Sequence, residues 1–296
     1  MAKASKTIYL LIVQALSADQ TMYALKTISI DVVAVTCMCG IFGFIFKSPV
    51  PMTLALTVLE KLEIQKFANE PTPVGGYGAG IATLDQDGGI VHWKIGKVGQ
   101  ALPAKQLANS VDASKASVLI GHVRMPSPEF MATAKFKETA QPYVVERDPE
   151  LTVASVHNGK VQNYEELRAK LGKAHKFESE KFELIDSEVI PHYFEELLSE
   201  EEADDALYSL LCSLQGSSAV GLLQSSEENV FVHLIHRGRT RGLTVWVNGR
   251  NEMVFCSRKQ ALTQQFRNIL VKGKFKEKVS IAYNEDAGLK LSFQVT

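Results

Sequence analysis

Charge of one sign is missing from this chain: its 296 residues carry a formal net charge of -1, with 22% of them charged. Nothing in that balance favours nucleic acid or an anionic membrane surface as partner. Cysteine is scarce. Its four copies, Cys37, Cys39, Cys212 and Cys256, make no metal-ligand repeat, and Cys37 with Cys39 is a C-x-C pair rather than the C-x-x-C of zinc and redox sites. Reduced thiols in a cytoplasmic compartment are expected, and no metal or organic cofactor is called for. Internal repeats, a long linker, a P-loop and a Rossmann fingerprint are all absent. The expected ligand is therefore a small molecule. What is present is a 46% hydrophobic content, enough to bury a substantial core.

Residues 1–38 differ in character from the rest. Lys3 and Lys6 precede an apolar run from Ile8 to Leu16 that is too short to span a bilayer and only loosely imitates a signal peptide. Three readings stay open for this extension: a secretory signal, a propeptide removed before Cys39, or a start placed too early with Met38 as the true initiator. The third is preferred, then the second. Residues 39–296 are expected to form one domain.

Cys39 to Phe46 is apolar and aromatic with small residues interspersed, which suits a buried strand. Leu54, Val58, Leu62 and Ile64 place one apolar face on a helix from Met52 to Phe67, ending near Ala68 before the breaker-rich Pro71-Thr-Pro-Val-Gly-Gly. Gly80 to Val98 predicts a hairpin around Asp85-Gln-Asp-Gly-Gly. Short apolar runs at Ala116 to His122 and Leu151 to His157 predict strands that deliver polar residues to a sheet rim. Helices are predicted at Asn163 to Leu171, Asp186 to Leu198 and Ala203 to Leu214. Phe231 to His236, Leu243 to Val247 and Met253 to Cys256 suggest a meander, followed by a basic loop from Lys272 to Lys278 and two last strands.

Several short strings now carry a resemblance. Met38-Cys-Gly-Ile-Phe-Gly-Phe, the glycine-rich Gly75-Gly-Tyr-Gly-Ala-Gly-Ile-Ala, Gly121-His-Val-Arg-Met-Pro-Ser and Gln141-Pro-Tyr-Val occur in this order. They are followed by His157-Asn-Gly-Lys-Val-Gln-Asn-Tyr-Glu-Glu-Leu-Arg and Asp186-Ser-Glu-Val. Together they resemble the class II glutamine amidotransferases of the N-terminal-nucleophile hydrolase superfamily, over Cys39 to about Ala261. One such string is weak evidence; six in family order are strong. The resemblance implies an α+β fold, a four-layer αββα sandwich of two antiparallel sheets, and a chain that hydrolyses the side-chain amide of glutamine to glutamate and ammonia.

Amide hydrolysis needs a nucleophile, a base and donors for the developing oxyanion. The Cys39 thiol suits the first role. An α-amine on the same residue, with an ordinary pKa of about 7.7 to 8.0, suits the second, provided the bond from Met38 is broken. By resemblance, the Asn158 amide and the Gly159 N–H form the oxyanion hole, against the plainer reading of an Asn-Gly hairpin turn. Arg124 suits the glutamine carboxylate, since a guanidinium grips it with two parallel bonds, and Asp186 suits the ammonium. By resemblance, Ser127, at the position of the family's hydroxyl residue after the arginine, is expected to add a hydrogen bond to the ligand. The plainer readings are a surface ion pair for Arg124 and a helix cap for Asp186. His122 and His157 are given no catalytic role, and Ser257 is read as a structural turn near the site.

Met125 stands where many members carry an aromatic residue, and the loop from Pro126 to Thr139 lacks the usual glycine. Both features keep open another γ-glutamyl amide as substrate. A non-catalytic regulatory or binding subunit with Cys39 blocked is the alternative from a different class. No synthase motif is recognised, so a separate ammonia-accepting synthase subunit is the expected partner; a homodimer stays open.

Overall fold

The computed structural model describes residues 39–66, 72–111, 114–147, 151–239, 242–283 and 285–295. The readings made for residues 1–38 and for the helix end near Ala68 lie outside these residues. Strand β1 (Gly40–Pro51) leads into helix α1 (Met52–Glu63), then the hairpin of β2 (Gly78–Leu84) and β3 (Ile90–Gly96). Helix α2 (Pro103–Ala108) precedes β4 (Lys115–Val123), and β5 (Tyr143–Arg147) precedes β6 (Leu151–Gly159). Three helices follow, α3 (Tyr164–Lys170), α4 (Val189–Leu198) and α5 (Ala203–Ser213). The chain continues with β7 (Ser218–Ser226), β8 (Val230–Arg239), β9 (Leu243–Val247) and β10 (Met253–Cys256). It closes with helix α6 (Gln264–Lys272), β11 (Lys276–Ile281) and β12 (Asp286–Val295).

The strands make two antiparallel sheets, one in the order β11-β9-β10-β1-β4-β2-β3 and one in the order β12-β8-β7-β6-β5. Period-two alternation explains how the sheets stack. Ile41, Ile45, Val118 and Ile120 of the first sheet meet Ala154, Val156, Leu223 and Leu234 of the second in a shared core. The opposite faces bury different partners. Phe42, Phe44 and Leu119 pack under α1, α2 and α6, whereas Val153, Val220 and Leu222 pack under α3, α4 and α5. The result is the expected four-layer αββα sandwich.

Two local expectations change. β8 pairs with β7 and β12, while β9 pairs with β10 and β11, so the chain changes sheets between them and there is no meander. Alternation marks each run as a strand but does not say which sheet it joins, because both sheets bury both faces. The basic stretch from Lys272 is also not one loop: its first residue ends α6 and the strand β11 starts at Lys276. Helix α6 starts where the Thr263 hydroxyl accepts the Phe266 N–H at 3.2 Å, a side-chain cap on an otherwise orphaned donor. Phe266 then reaches the ring of Phe42, edge to face at 5.0 Å, so the helix is held by tertiary packing that a local window does not contain.

Candidate active site

Cys39 stands one residue before β1, and the register Gly40 to Val123 sets it beside the end of β4. Its Sγ lies 3.4 Å from both the amide nitrogen and the carbonyl oxygen of Met125. The strand behind it is fixed: Ile41 N–H donates to the Ser257 hydroxyl at 3.1 Å and Ser257 N–H returns to the Ile41 carbonyl at 2.9 Å. Ser257 thus clamps the backbone two residues after the thiol, in accord with its reading as a turn near the site.

Arg124 follows β4 directly and is 4% exposed, so the surface ion-pair reading fails. Its guanidinium donates to Thr139 Oγ1 at 2.6 Å and Thr133 Oγ1 at 3.0 Å, using two of five N–H groups. Burial draws its pKa below the usual range, opposed by Tyr143, Cys39 and Asp186 in that order, which places the thiol and the carboxyl within its electrostatic reach. The Arg124 backbone is fixed on both sides, donating to the Gly78 carbonyl and accepting from Tyr77 N–H. Gly80, further along β2, is required by close approach. A Cβ there would come within 2.3 Å of the Gln141 carbonyl oxygen.

Asn158 and Gly159 end β6, where they pair with Ala219 and Ser218 of β7. The Asn-Gly pair is therefore strand, not a hairpin turn. Asn158 is fully buried, and neither its amide nitrogen nor its amide oxygen has a hydrogen-bond partner among the described residues. Gly159 has a φ of 150°, and a Cβ would lie within 2.0 Å of the Ser217 carbonyl oxygen. The strand end is held by its neighbours. Gln141 brackets His157, accepting its N–H at 2.6 Å and donating to its carbonyl at 3.3 Å. The His157 ring bridges the hydroxyls of Ser187 at 2.8 Å and Ser218 at 3.1 Å. Burial pushes it down to about 3, so it is a neutral brace.

Asp186 opens a 3-10 turn before α4. Its Oδ2 accepts the Val161 N–H at 2.8 Å, and the Ser187 hydroxyl lies 3.4 Å from Oδ1. No side-chain cap bond forms at this turn, so the helix-cap reading does not account for it. Burial raises its pKa to about 6 against the lowering pull of Val161 N–H and Lys160. The Ser127 hydroxyl bonds to the Glu129 carboxylate. Glu129 in turn pairs with Lys160, the residue after Gly159, and Phe136 of the same loop stacks on Phe182 at 3.6 Å.

Cys39 and Asp186 thus both act on Arg124, while Asn158 and Gly159 end β6, two residues before the Val161 N–H that Asp186 accepts. Three residues that hold them were not singled out from the sequence: Thr133 and Thr139, which fix the guanidinium, and Gln141, which fixes the backbone beside Asn158. Gln141 lay inside a matching string, which was its signal. The two threonines had none.

Comparison with known proteins follows the same lines. A family model described as a glutamine amidotransferase domain matches residues 130–264, which include Asn158, Gly159 and Asp186. Among curated proteins, the glutamine–fructose-6-phosphate aminotransferase [isomerizing] of Sulfurisphaera tokodaii is 30% identical over 202 residues, spanning 66% of this chain and 30% of that protein. The protein of the same name from Thermosynechococcus vestitus is 31% identical over 192 residues, 63% of this chain and 26% of its own. The chain thus spans less than a third of the length of these relatives. A solved glutamine phosphoribosylpyrophosphate amidotransferase from B. subtilis, complexed with ADP and GMP, superposes with a TM-score of 0.57 at 18% identity, over 87% of this chain and 49% of that one. A structure described as the allosteric regulatory enzyme of purine biosynthesis gives 0.58 at 19%, with the same coverage. Likeness at this identity speaks to the fold.

Proposed function

From the class II glutamine amidotransferase domain that this chain carries, we propose a glutaminase that works through a Cys39 thioester and hands its ammonia to a separate synthase subunit. The Cys39 α-amine takes the thiol proton and becomes an ammonium as the sulfur attacks the side-chain carbonyl carbon of glutamine, and the carbonyl oxygen becomes an oxyanion. Asn158 Nδ2 and the Gly159 N–H receive that charge. The C–N bond then breaks, ammonia leaves with a proton supplied by the Cys39 α-ammonium, and water cleaves the thioester to release glutamate. Arg124 holds the α-carboxylate and Asp186 the α-ammonium of the substrate.

The observation that carries this reading is the Asn158 amide. A buried carboxamide without partners costs roughly 1–3 kcal/mol, and such a cost is retained where an arriving ligand atom supplies the missing bond. The amide lies at a strand end beside the element that carries Asp186, in a frame where Cys39 and Asp186 both act on Arg124. The curated relatives are named for glutamine-dependent amination of a sugar phosphate, and they are much longer than this chain.

The test is ammonia release by the purified chain from glutamine and from a panel of γ-glutamyl amides, including a γ-glutamyl dipeptide. Glutamine turned over with the highest kcat/KM supports the proposal. Faster turnover of a dipeptide would move the substrate to the other γ-glutamyl amides, and no turnover with Cys39 still joined to Met38 would favour a binding subunit.

Asp186 adds a pH signature. Its carboxyl is raised to about 6, so the folded state favours its neutral form, and the stability this gives below its ordinary pKa is lost as pH rises through about 6. Ammonium binding needs the charged form and runs the other way. As pH falls, kcat/KM is expected to decline first with the α-amine, near pH 7.7 to 8.0 for an unperturbed group. Below about 6 it should steepen from one decade per pH unit to about two. Asp186→Asn should raise KM and abolish the second slope; an unchanged profile would remove Asp186 from the binding role.

A further inference from the structure

Tyr143 opens β5 and is 1% exposed. Its hydroxyl oxygen is buried and has no hydrogen-bond partner among the described residues. A buried tyrosine O–H ordinarily finds a partner, so this one asks for an atom from outside the chain. The ring packs with Phe130 and Ile185. Phe130 lies in the loop whose Thr133 and Thr139 hold the Arg124 guanidinium, and Ile185 directly precedes Asp186. The two elements that serve Arg124 and Asp186 thus meet on one ring. Lys94 holds the ring as well: its Nζ stands 4.9 Å from the ring centroid and pairs with Glu178 at 2.7 Å.

Resting on the glutaminase reading above, we propose that the Tyr143 hydroxyl is a further ligand of the substrate, donating a hydrogen bond to the α-carboxylate that Arg124 holds. The acceptor sites of that carboxylate favour a second donor. A carboxylate offers about four, and a two-pronged guanidinium fills about two. Beside a guanidinium as buried as Arg124, the remaining lone pairs are desolvated and need a donor from the protein.

Charge favours the same choice. Burial first, and Glu188 after it, hold the phenol well above its ordinary pKa, so it stays a neutral O–H, a donor that suits an anion. Arg124 and Asp186 both act on this hydroxyl, and Tyr143 is the first group to oppose the effect of burial on Arg124. The phenol therefore shares one electrostatic neighbourhood with both residues that hold the ends of the amino acid. Glu188 is the competing partner. Its two oxygens already accept the N–H groups of Glu178 and Ser179, and it makes no hydrogen bond to Tyr143.

Tyr143→Phe removes the oxygen alone and keeps the ring contacts. In the full chain, KM for glutamine is expected to rise about 10–100-fold with kcat within about twofold, the mark of binding lost equally from ground and transition states. Tm should hold or rise, because the oxygen removed has no partner in the free protein. Two analogues locate the contact. The inhibition constant of glutaramate, which keeps the carboxylate and lacks the ammonium, should rise by the same factor as KM. That of γ-aminobutyramide, which lacks the carboxylate, should stay within about twofold. Tyr143→Leu should repeat this pattern and decides the matter if the phenylalanine variant folds poorly. An unchanged KM, or equal weakening of both analogues, would overturn the contact; a fallen Tm with KM intact would overturn it and assign the hydroxyl to Glu188. A parent chain that releases no ammonia from glutamine removes the glutaminase reading and this contact with it, whereas an active parent and an equally active variant remove only the contact.

Discussion

Cys39→Ser is expected to abolish ammonia release from glutamine, with a loss of at least about 10³-fold in kcat and no change in the folded state. The magnitude follows from the behaviour of catalytic nucleophiles, whose removal costs more than most other single changes because no neighbouring group takes over the attack. The fold should tolerate serine: the sulfur lies 3.4 Å from the backbone nitrogen and oxygen of Met125, and a hydroxyl can make the same two contacts. A glutamine-analogue diazo-ketone should add once to the parent chain, seen as a single increment in intact mass, and should not add to the variant. The same mass spectrum reads whether the chain begins at Cys39. A single adduct on a chain still joined to Met38 would retain the nucleophile and remove the α-amine as base. Unchanged ammonia release by Cys39→Ser would end the thioester mechanism.

Asn158→Ala is expected to lower kcat by roughly 10²–10³-fold, the usual cost of one lost oxyanion donor, with KM little changed and Tm held. The pairing of these outcomes is what discriminates. A residue that closed a turn would lose stability, but Asn158 lies within β6 and is paired with Ala219. Its amide makes no hydrogen bond among the described residues, so truncation removes a desolvated polar group while opening a small cavity, two effects of opposite sign and similar size. A large fall in Tm with kcat unchanged would assign Asn158 to structure and leave the oxyanion without this donor.

Much of the architecture was legible in particular residues. The hairpin around Asp85 was readable because its turn chemistry is local, and the Asp85 carboxylate does accept the Asp87 and Gly89 amides at 2.9 and 2.8 Å. Strands β9 and β10 fell at the expected residues because alternation and apolar content are properties of the segment itself. Their assignment to the sheet opposite β8 was not legible. That choice depends on which core each face enters, and Val245 packs with Ile41 and Val156 only once both sheets exist.

The same division holds for the candidate site. By itself the sequence determined that a cysteine, an arginine, an Asn-Gly pair and an aspartate stand in strings typical of one chemistry, because side-chain reactivity is carried by residue type and local order. Tertiary structure alone decided that Arg124 is buried under two threonines, that the Asn158 side-chain amide has no hydrogen-bond partner among the described residues, and that Ser127 meets Glu129. It also decided that Tyr143 packs with Ile185. These are facts of burial and distance between segments remote in the chain, and they arise from two sheets closing on one core, which no run of neighbouring residues encodes.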